Sequence, residues 1–264
     1  MDVEGCRCLV IGGSRHLGRR LALSLSAAGA HVAVSSRSAE GALATCRALE
    51  AAGHSAAAVT GDVSTSADAS RLVRAAAEAL GGLDALVFAA SGPFQPHPPQ
   101  ELSEQDWNAS MDVLARGLLF VAQAARQQFL AKRQPEDTLD ARDPAPKPAP
   151  PPDLGVIVAL TDVAAVQPWA AFAAHCAAKA AELMLVRVLA KAWAAEGIRV
   201  CGVAPGPVDL PDDEHRAASV KAAEHLPAGR LVDPEDVAAA VLLCITSAAL
   251  TGANLPVDGG ALLR

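Results

Sequence analysis

A glycine-rich turn and two arginines carry the first recognisable chemistry of this 264-residue chain. In Leu9-Val10-Ile11-Gly12-Gly13-Ser14-Arg15-His16-Leu17-Gly18 an apolar run meets a turn, after which Leu17, Leu21, Leu25 and Ala28 recur at helical spacing. A strand followed by a tight turn and a helix aims free backbone N–H groups and a helix dipole at the turn. Both favour an anion such as a pyrophosphate. Gly12 lets the chain turn, and Gly18 lets the helix pack close to the strand. Such turns also serve purely structural ends, so this one counts only together with the rest of the chain.

The next β-prone run, 31–35, leads into Ser36-Arg37-Ser38, with no acid. An acid there would hold the ribose 2′-OH of NAD, whereas an arginine accommodates the 2′-phosphate of NADP. Arg15 adds a second guanidinium, and the paired donors of guanidinium suit a dianionic phosphate. The alternative for both arginines is a solvated surface position. NADPH is the expected cofactor.

These groups need a frame. Helical patterning over 38–52 ends at Gly53, and 55–60 reads as a strand. Thr65-Ser66-Ala67-Asp68 is a capping-box pattern opening a helix to Leu80, stopped by Gly81-Gly82. Residues 85–90 form a continuous apolar run, as in a strand buried on both faces. A proline-rich loop, 91–101, precedes a helix that starts at Ser103-x-x-Asp106 and runs to about Lys132. Strands at 155–160, 199–204 and 254–257 alternate with helices over about 169–196 and from Asp233-Pro234 onward; 209–225 is polar with a weakly helical middle. About seven strand–helix alternations predict a single α/β domain over 1–264. Its core is a doubly wound, mostly seven-stranded parallel sheet with helices on both faces. Residues 134–153 carry seven prolines among mixed charges (135, 144, 146, 148, 150, 151 and 152). This stretch is expected to be a disordered surface insertion at the amino edge of the sheet, remote from ligands at the carboxyl edge.

Composition narrows the function classes. A 52% hydrophobic content fits a packed globule, and a net charge of −7 argues against nucleic acid or anionic membrane as partner. No apolar run is long enough for a membrane span, and the acidic start, Met1 to Gly5, does not read as a signal peptide. The six cysteines show no metal-ligand spacing and read as small buried hydrophobes in a reducing cytoplasm. The chain has no tyrosine.

The order of motifs resembles the short-chain dehydrogenase/reductase family over essentially the whole chain. The matching residues are Gly12-x5-Gly18, Gly61-Asp62-Val63, the strand end at 86–91, Lys179 in its long helix, Pro205-Gly206, and Pro234-Glu235-Asp236-Val237 followed by Val257-Asp258-Gly259-Gly260. Within the family the pattern is similar to the pteridine reductases. Those replace the second glycine of the turn with a basic residue, here His16. They also carry aspartate at the usual catalytic serine, here Asp162, followed by a Gln-Pro pair, here Gln167-Pro168.

The resemblance implies a Rossmann-type fold and assigns positions. Ser14, Arg15, His16 and Leu17 would line the pyrophosphate between Gly12 and Gly18. Ser36, Arg37 and Ser38 would meet the 2′-phosphate. Asp62 would accept from the adenine amino group beside the Val63 backbone. Ala89, Ala90 and Ser91 would lie along the dinucleotide, and Pro205, Gly206 and Val208 beside the nicotinamide. It also implies a homodimer or homotetramer paired through the helices at 103–132 and 169–196.

Most family members work with Asn, Ser, Tyr and Lys. The resemblance places Leu114, Asp162, His175 and Lys179 at those positions, so only the lysine is kept. His175 and Lys179 are i, i+4 and share a helix face. Phenol starts near pKa 10 and needs help at neutral pH, whereas imidazole starts near 6.5. A close, ionised Asp162 would favour the imidazolium, so an Asp162–His175 pair could donate a proton, with Lys179 holding the ribose. The competing reading is a chain that binds NADP(H) without redox turnover. Loops 91–101 and 162–169 and the segment 207–225 should wall the pocket. Ser91, Phe94, Trp169 and Asp209 are the candidate substrate contacts, with Phe94 and Trp169 sandwiching a flat ring. His97, among prolines, reads as an exposed loop residue. The expected reaction is NADPH-dependent reduction of a C=O or C=N bond in a small planar molecule.

Overall fold

The computed structural model describes residues 1–132, 153–210, 212 and 216–263. The apolar runs pair as β1 (Arg7–Ile11), β2 (His31–Ser36), β3 (Ala56–Thr60), β4 (Ala85–Phe88), β5 (Gly155–Leu160), β6 (Ile198–Pro205) and β7 (Asn254–Val257). All neighbours are parallel, in the order β3-β2-β1-β4-β5-β6-β7. The order reverses between β1 and β4, whose carboxyl ends open the crevice where ligands bind such sheets.

Two apolar layers hold the helices. On one face α1 (His16–Ala27), α2 (Ala39–Ala51) and α8 (Pro234–Thr246) bury Leu21, Leu25, Leu49 and Val241 against Val10, Val34 and Val158. On the other, α3 (Ser66–Leu80), α5 (Gly117–Leu130) and α6 (Ala173–Trp193) bury Leu72, Phe129 and Val186 against Leu9, Phe88 and Ile157. Two shorter helices, α4 (Glu104–Met111) and α7 (Arg216–Ala223), complete the set among the described residues.

Several boundaries differ from expectation. β4 ends at Phe88 rather than residue 90, because its register with β5 stops at the Phe88–Ala159 pair. The long helix begins at Ala173, not near 169. Phe172 N–H closes a turn on Trp169 O at 2.9 Å, and His97 N–H reaches Ala171 O at 2.8 Å, tying this stretch to the loop after β4. The helix expected from 103 to 132 is α4 and α5 joined by a π-helical turn, Asp112–Arg116. The capping box is only half formed. Thr65 Oγ1 accepts from Asp68 N–H at 3.3 Å, but the Asp68 carboxylate accepts from Asp62 N–H at 3.2 Å and so fixes the end of β3.

Residues 133–152, which hold nearly all of the proline-rich stretch at 134–153, lie outside the described residues. Its flanks meet the amino edge of the sheet. Lys132 Nζ is 2.8 Å from Asp84, just before β4, and Asp153 is 3.1 Å from Arg199, near the start of β6.

Candidate active site

The sequence-expected dinucleotide residues line one rim. Gly12 and Gly13 follow β1, Ser36 to Ser38 follow β2, Asp62 and Val63 follow β3, and Ala89 to Ser91 follow β4. Pro205, Gly206 and Val208 close the rim at the end of β6. The turn leaves no room for side chains. Gly12 has φ +77°, and a Cβ there would lie 2.6 Å from Ala89 O; a Cβ on Gly18 would overlap Gly12 O. His16 also adopts positive φ, +48°, and its Nδ1 is buried without a hydrogen-bond partner among the described residues. Close backbone, a helix start and an orphaned ring nitrogen fit the phosphate groups of a dinucleotide.

Arg15 and Arg37 stand exposed at the same end. Ser36 Oγ accepts from Ser38 N–H at 3.2 Å, and Ser38 Oγ caps α2 by accepting from Gly41 N–H at 3.3 Å. One Asp62 oxygen accepts from Ser64 N–H at 2.9 Å.

Asp162 follows β5 in extended backbone. Its Oδ1 accepts from Ala164 N–H at 2.9 Å, capping the short turn Val163–Ala165. Its Oδ2 lies 3.2 Å from His175 Nε2. His175 sits in the first turn of α6 and is 9% exposed. Trp169 lies parallel to the imidazole at 6.0 Å between ring centroids, and Phe94 meets it edge-on at 5.0 Å. The imidazole thus lies between a carboxylate and two aromatic rings.

Lys179, one turn on, is directed inward. Its Nζ donates to Leu160 O and to Glu182 Oε2, each at 2.8 Å. Glu182 is completely buried, and its Oε1 has no hydrogen-bond partner among the described residues. Burial pushes the Glu182 carboxyl above its ordinary range, and the Lys179 ammonium opposes that rise. Glu182 was not among the expected site residues. The available signal was an acid inside the buried stripe that continues through Val186 and Leu189. Leu114 is fully buried in the π-helical turn, under the backbone of Gly92.

The substrate wall differs from expectation. Phe94 and Trp169 meet at 81°, centroids 6.2 Å apart, and Phe94 stacks on Phe172 at 4.6 Å. The Phe94 and Trp169 rings are nearly perpendicular and offer no two parallel faces to a flat ligand; with Phe172 they form a triangle of packed rings. Asp209 is paired with Arg216 at 2.9 Å. Ser91 is exposed at the rim. His97 is half-buried, not exposed. With Asp106, Ser110, Phe172 and His175 it lines a cavity of about 40 Å³, room for water but not for a ring. Residues 211 and 213–215 of the expected wall at 207–225 lie outside the described residues.

Residues 7–136 match the family model described as short chain dehydrogenase, and 141–261 match the one described as Enoyl-(Acyl carrier protein) reductase. The chain is 35% identical over 269 residues to 3beta-hydroxysteroid dehydrogenase 1 of Eggerthella lenta, covering 98% of this chain and 94% of that protein. It is 30% identical to glucose 1-dehydrogenase of Gluconobacter oxydans over 97% of this chain and 91% of that protein. A crystal structure of a short chain dehydrogenase from Burkholderia cenocepacia in complex with NADP superposes with a TM-score of 0.82 at 30% identity, covering 99% of this chain and all of that one. Among the described residues no helix is long and apolar enough to cross a membrane. With the sheet order, the glycine turn and matches along nearly its whole length, the chain belongs to the short-chain dehydrogenase/reductase family of oxidoreductases.

Proposed function

We propose that this protein is an NADPH-dependent reductase of a C=O or C=N bond in a small planar substrate, with His175 as proton donor. The observation that carries the reading is the 3.2 Å contact between Asp162 and a nearly buried His175, in a chain with no tyrosine. NADP in the crystal structure from Burkholderia cenocepacia supports the cofactor class, and Arg15 and Arg37 support the phosphorylated form. Asp162 with Gln167-Pro168, and the basic His16, support a flat heterocycle as substrate, through the likeness to pteridine reductases.

When bound, NADPH supplies a hydride. The turn from Gly12 to Gly18 would hold its pyrophosphate, Arg15 and Arg37 with Ser36 its 2′-phosphate, and Asp62 its adenine. Lys179 has three donors and uses two, leaving one N–H for a ribose hydroxyl. Asp162 orients the His175 ring and stabilises its charged form. With Nε2–H engaged by Asp162, the proton on the other ring nitrogen, Nδ1, is the one His175 would give to the substrate oxygen or nitrogen that becomes negative on reduction. The test is an NADPH-oxidation screen over pterins, quinones and 3-keto steroids, the last prompted by the steroid dehydrogenase of Eggerthella lenta. His175→Ala should lower kcat by about 10²- to 10⁴-fold while NADPH still binds. Unaltered turnover in both His175→Ala and Asp162→Ala would remove this acid.

Buried Leu114 and the inward Lys179 favour a second reading, a protein that binds NADPH without redox turnover. Tight NADPH uptake with no oxidation by any substrate selects it. A homodimer or homotetramer is proposed for either reading, since α6 exposes Met184 and Val188 one turn apart. Light scattering tests it.

A further inference from the structure

We propose that Glu182 is the counter-charge that allows His175 to hold a proton, by neutralising Lys179 on the same helix face. This rests on the reading of His175 as proton donor. A phenol that must lose its proton is helped by a bare ammonium one turn away. An imidazole that must carry a proton is hindered by it, because two cations share the face. Replacing tyrosine by histidine therefore reverses the sign of what the lysine does. Glu182 answers that reversal. It lies three residues beyond Lys179, is buried completely, and spends one oxygen on Nζ at 2.8 Å. Its other oxygen has no hydrogen-bond partner among the described residues, so the Lys179 ammonium is the one group seen to bond this buried carboxylate there.

A buried acid beside an ammonium at this distance behaves as one unit, and the unit totals zero charge wherever the proton between them sits. The imidazole then faces Asp162 from the loop after β5, a neutral Lys179–Glu182 pair from α6, and His97 and Asp106 across the small cavity. The last two are common to the unaltered protein and every Glu182 or Lys179 variant, and cancel in the comparison. Glu182 is thus a positioning residue that acts through Lys179, not a group that touches substrate.

The test is an NMR titration of the His175 ring in the resting full-length protein, without nucleotide or substrate. The resonance is assigned by its loss in His175→Gln. Glu182→Gln keeps the shape and leaves Lys179 uncompensated, so the His175 midpoint should move about one pH unit lower. The double variant Lys179→Met/Glu182→Met removes a unit of zero net charge. Apolar replacement of a buried pair is generally tolerated, so this variant serves if Glu182→Gln does not fold. Its midpoint should match that of the unaltered protein. A folded Glu182→Gln with an unmoved midpoint overturns the proposal. A midpoint raised by about one unit in the double variant overturns it too, since Lys179 was then acting uncompensated. Turnover that survives His175→Ala would sink the proton-donor reading and leave these titrations as they are.

Discussion

Asp162 offers its two carboxylate oxygens to two different partners, Ala164 N–H at 2.9 Å and His175 Nε2 at 3.2 Å. The first contact fixes the carboxylate on the frame, and the second transmits that orientation to the imidazole. Asp162→Asn keeps an oxygen for the cap but loses the charge. We expect kcat at neutral pH to fall about 10- to 100-fold, with NADPH affinity unchanged, in steady-state kinetics paired with fluorescence titration.

The phosphate selectivity rests on guanidinium groups. Arg37→Ala should raise the Kd for NADPH by about tenfold or more and leave that for NADH nearly unchanged, since a charge-assisted contact contributes about 1.5–3 kcal/mol. Equal losses for both nucleotides would place Arg37 away from the 2′-phosphate.

The turn at Gly12 admits no side chain. A Cβ there would sit 2.6 Å from Ala89 O, at a φ of +77° that L residues avoid. Gly12→Ala should cost about 2 kcal/mol or more and lower the thermal midpoint by several degrees, with loss of dinucleotide binding. Calorimetric scanning measures the first and fluorescence the second.

The amino edge of the sheet carries a pH-dependent clamp. Burial acts to raise the Asp84 carboxyl, but hydrogen bonds from Arg7 (Nε at 2.7 Å) and Lys132 (Nζ at 2.8 Å) outweigh it and hold the group well below the usual carboxylate range. A folded value below the unfolded one means stability that is present above the unfolded value, near 4, and lost as pH falls beneath it. Urea melts should show Asp84→Asn about 2 kcal/mol less stable at pH 7, with the gap narrowing below about pH 4. A constant gap would contradict this sign.

Much of the frame was legible because period and punctuation agreed. The 155–160 and 254–257 strands match β5 and β7 to the residue, and Asp233-Pro234 starts α8 as its cap chemistry requires. The start of α6 was not, since it is set by the bond from His97 N–H to Ala171 O, a contact between segments far apart in sequence. The π-helical turn at Leu114 likewise has no local signature. At the site, the family resemblance named Asp162, His175 and Lys179 but could not tell where Lys179 points. That depends on Glu182, which helical periodicity alone places in the apolar stripe without saying what it meets. The expected Phe94–Trp169 sandwich was beyond reach for the same reason, because the angle of 81° between the rings and their packing with Phe172 are tertiary contacts.

Isothermal titration calorimetry of the unaltered protein with NADPH and with NADH tests the central claim, that a phosphorylated nicotinamide dinucleotide occupies the carboxyl rim beside His175. One site per chain is expected, with tighter uptake of NADPH than of NADH. Heat from neither nucleotide, in protein shown to be folded, would contradict it.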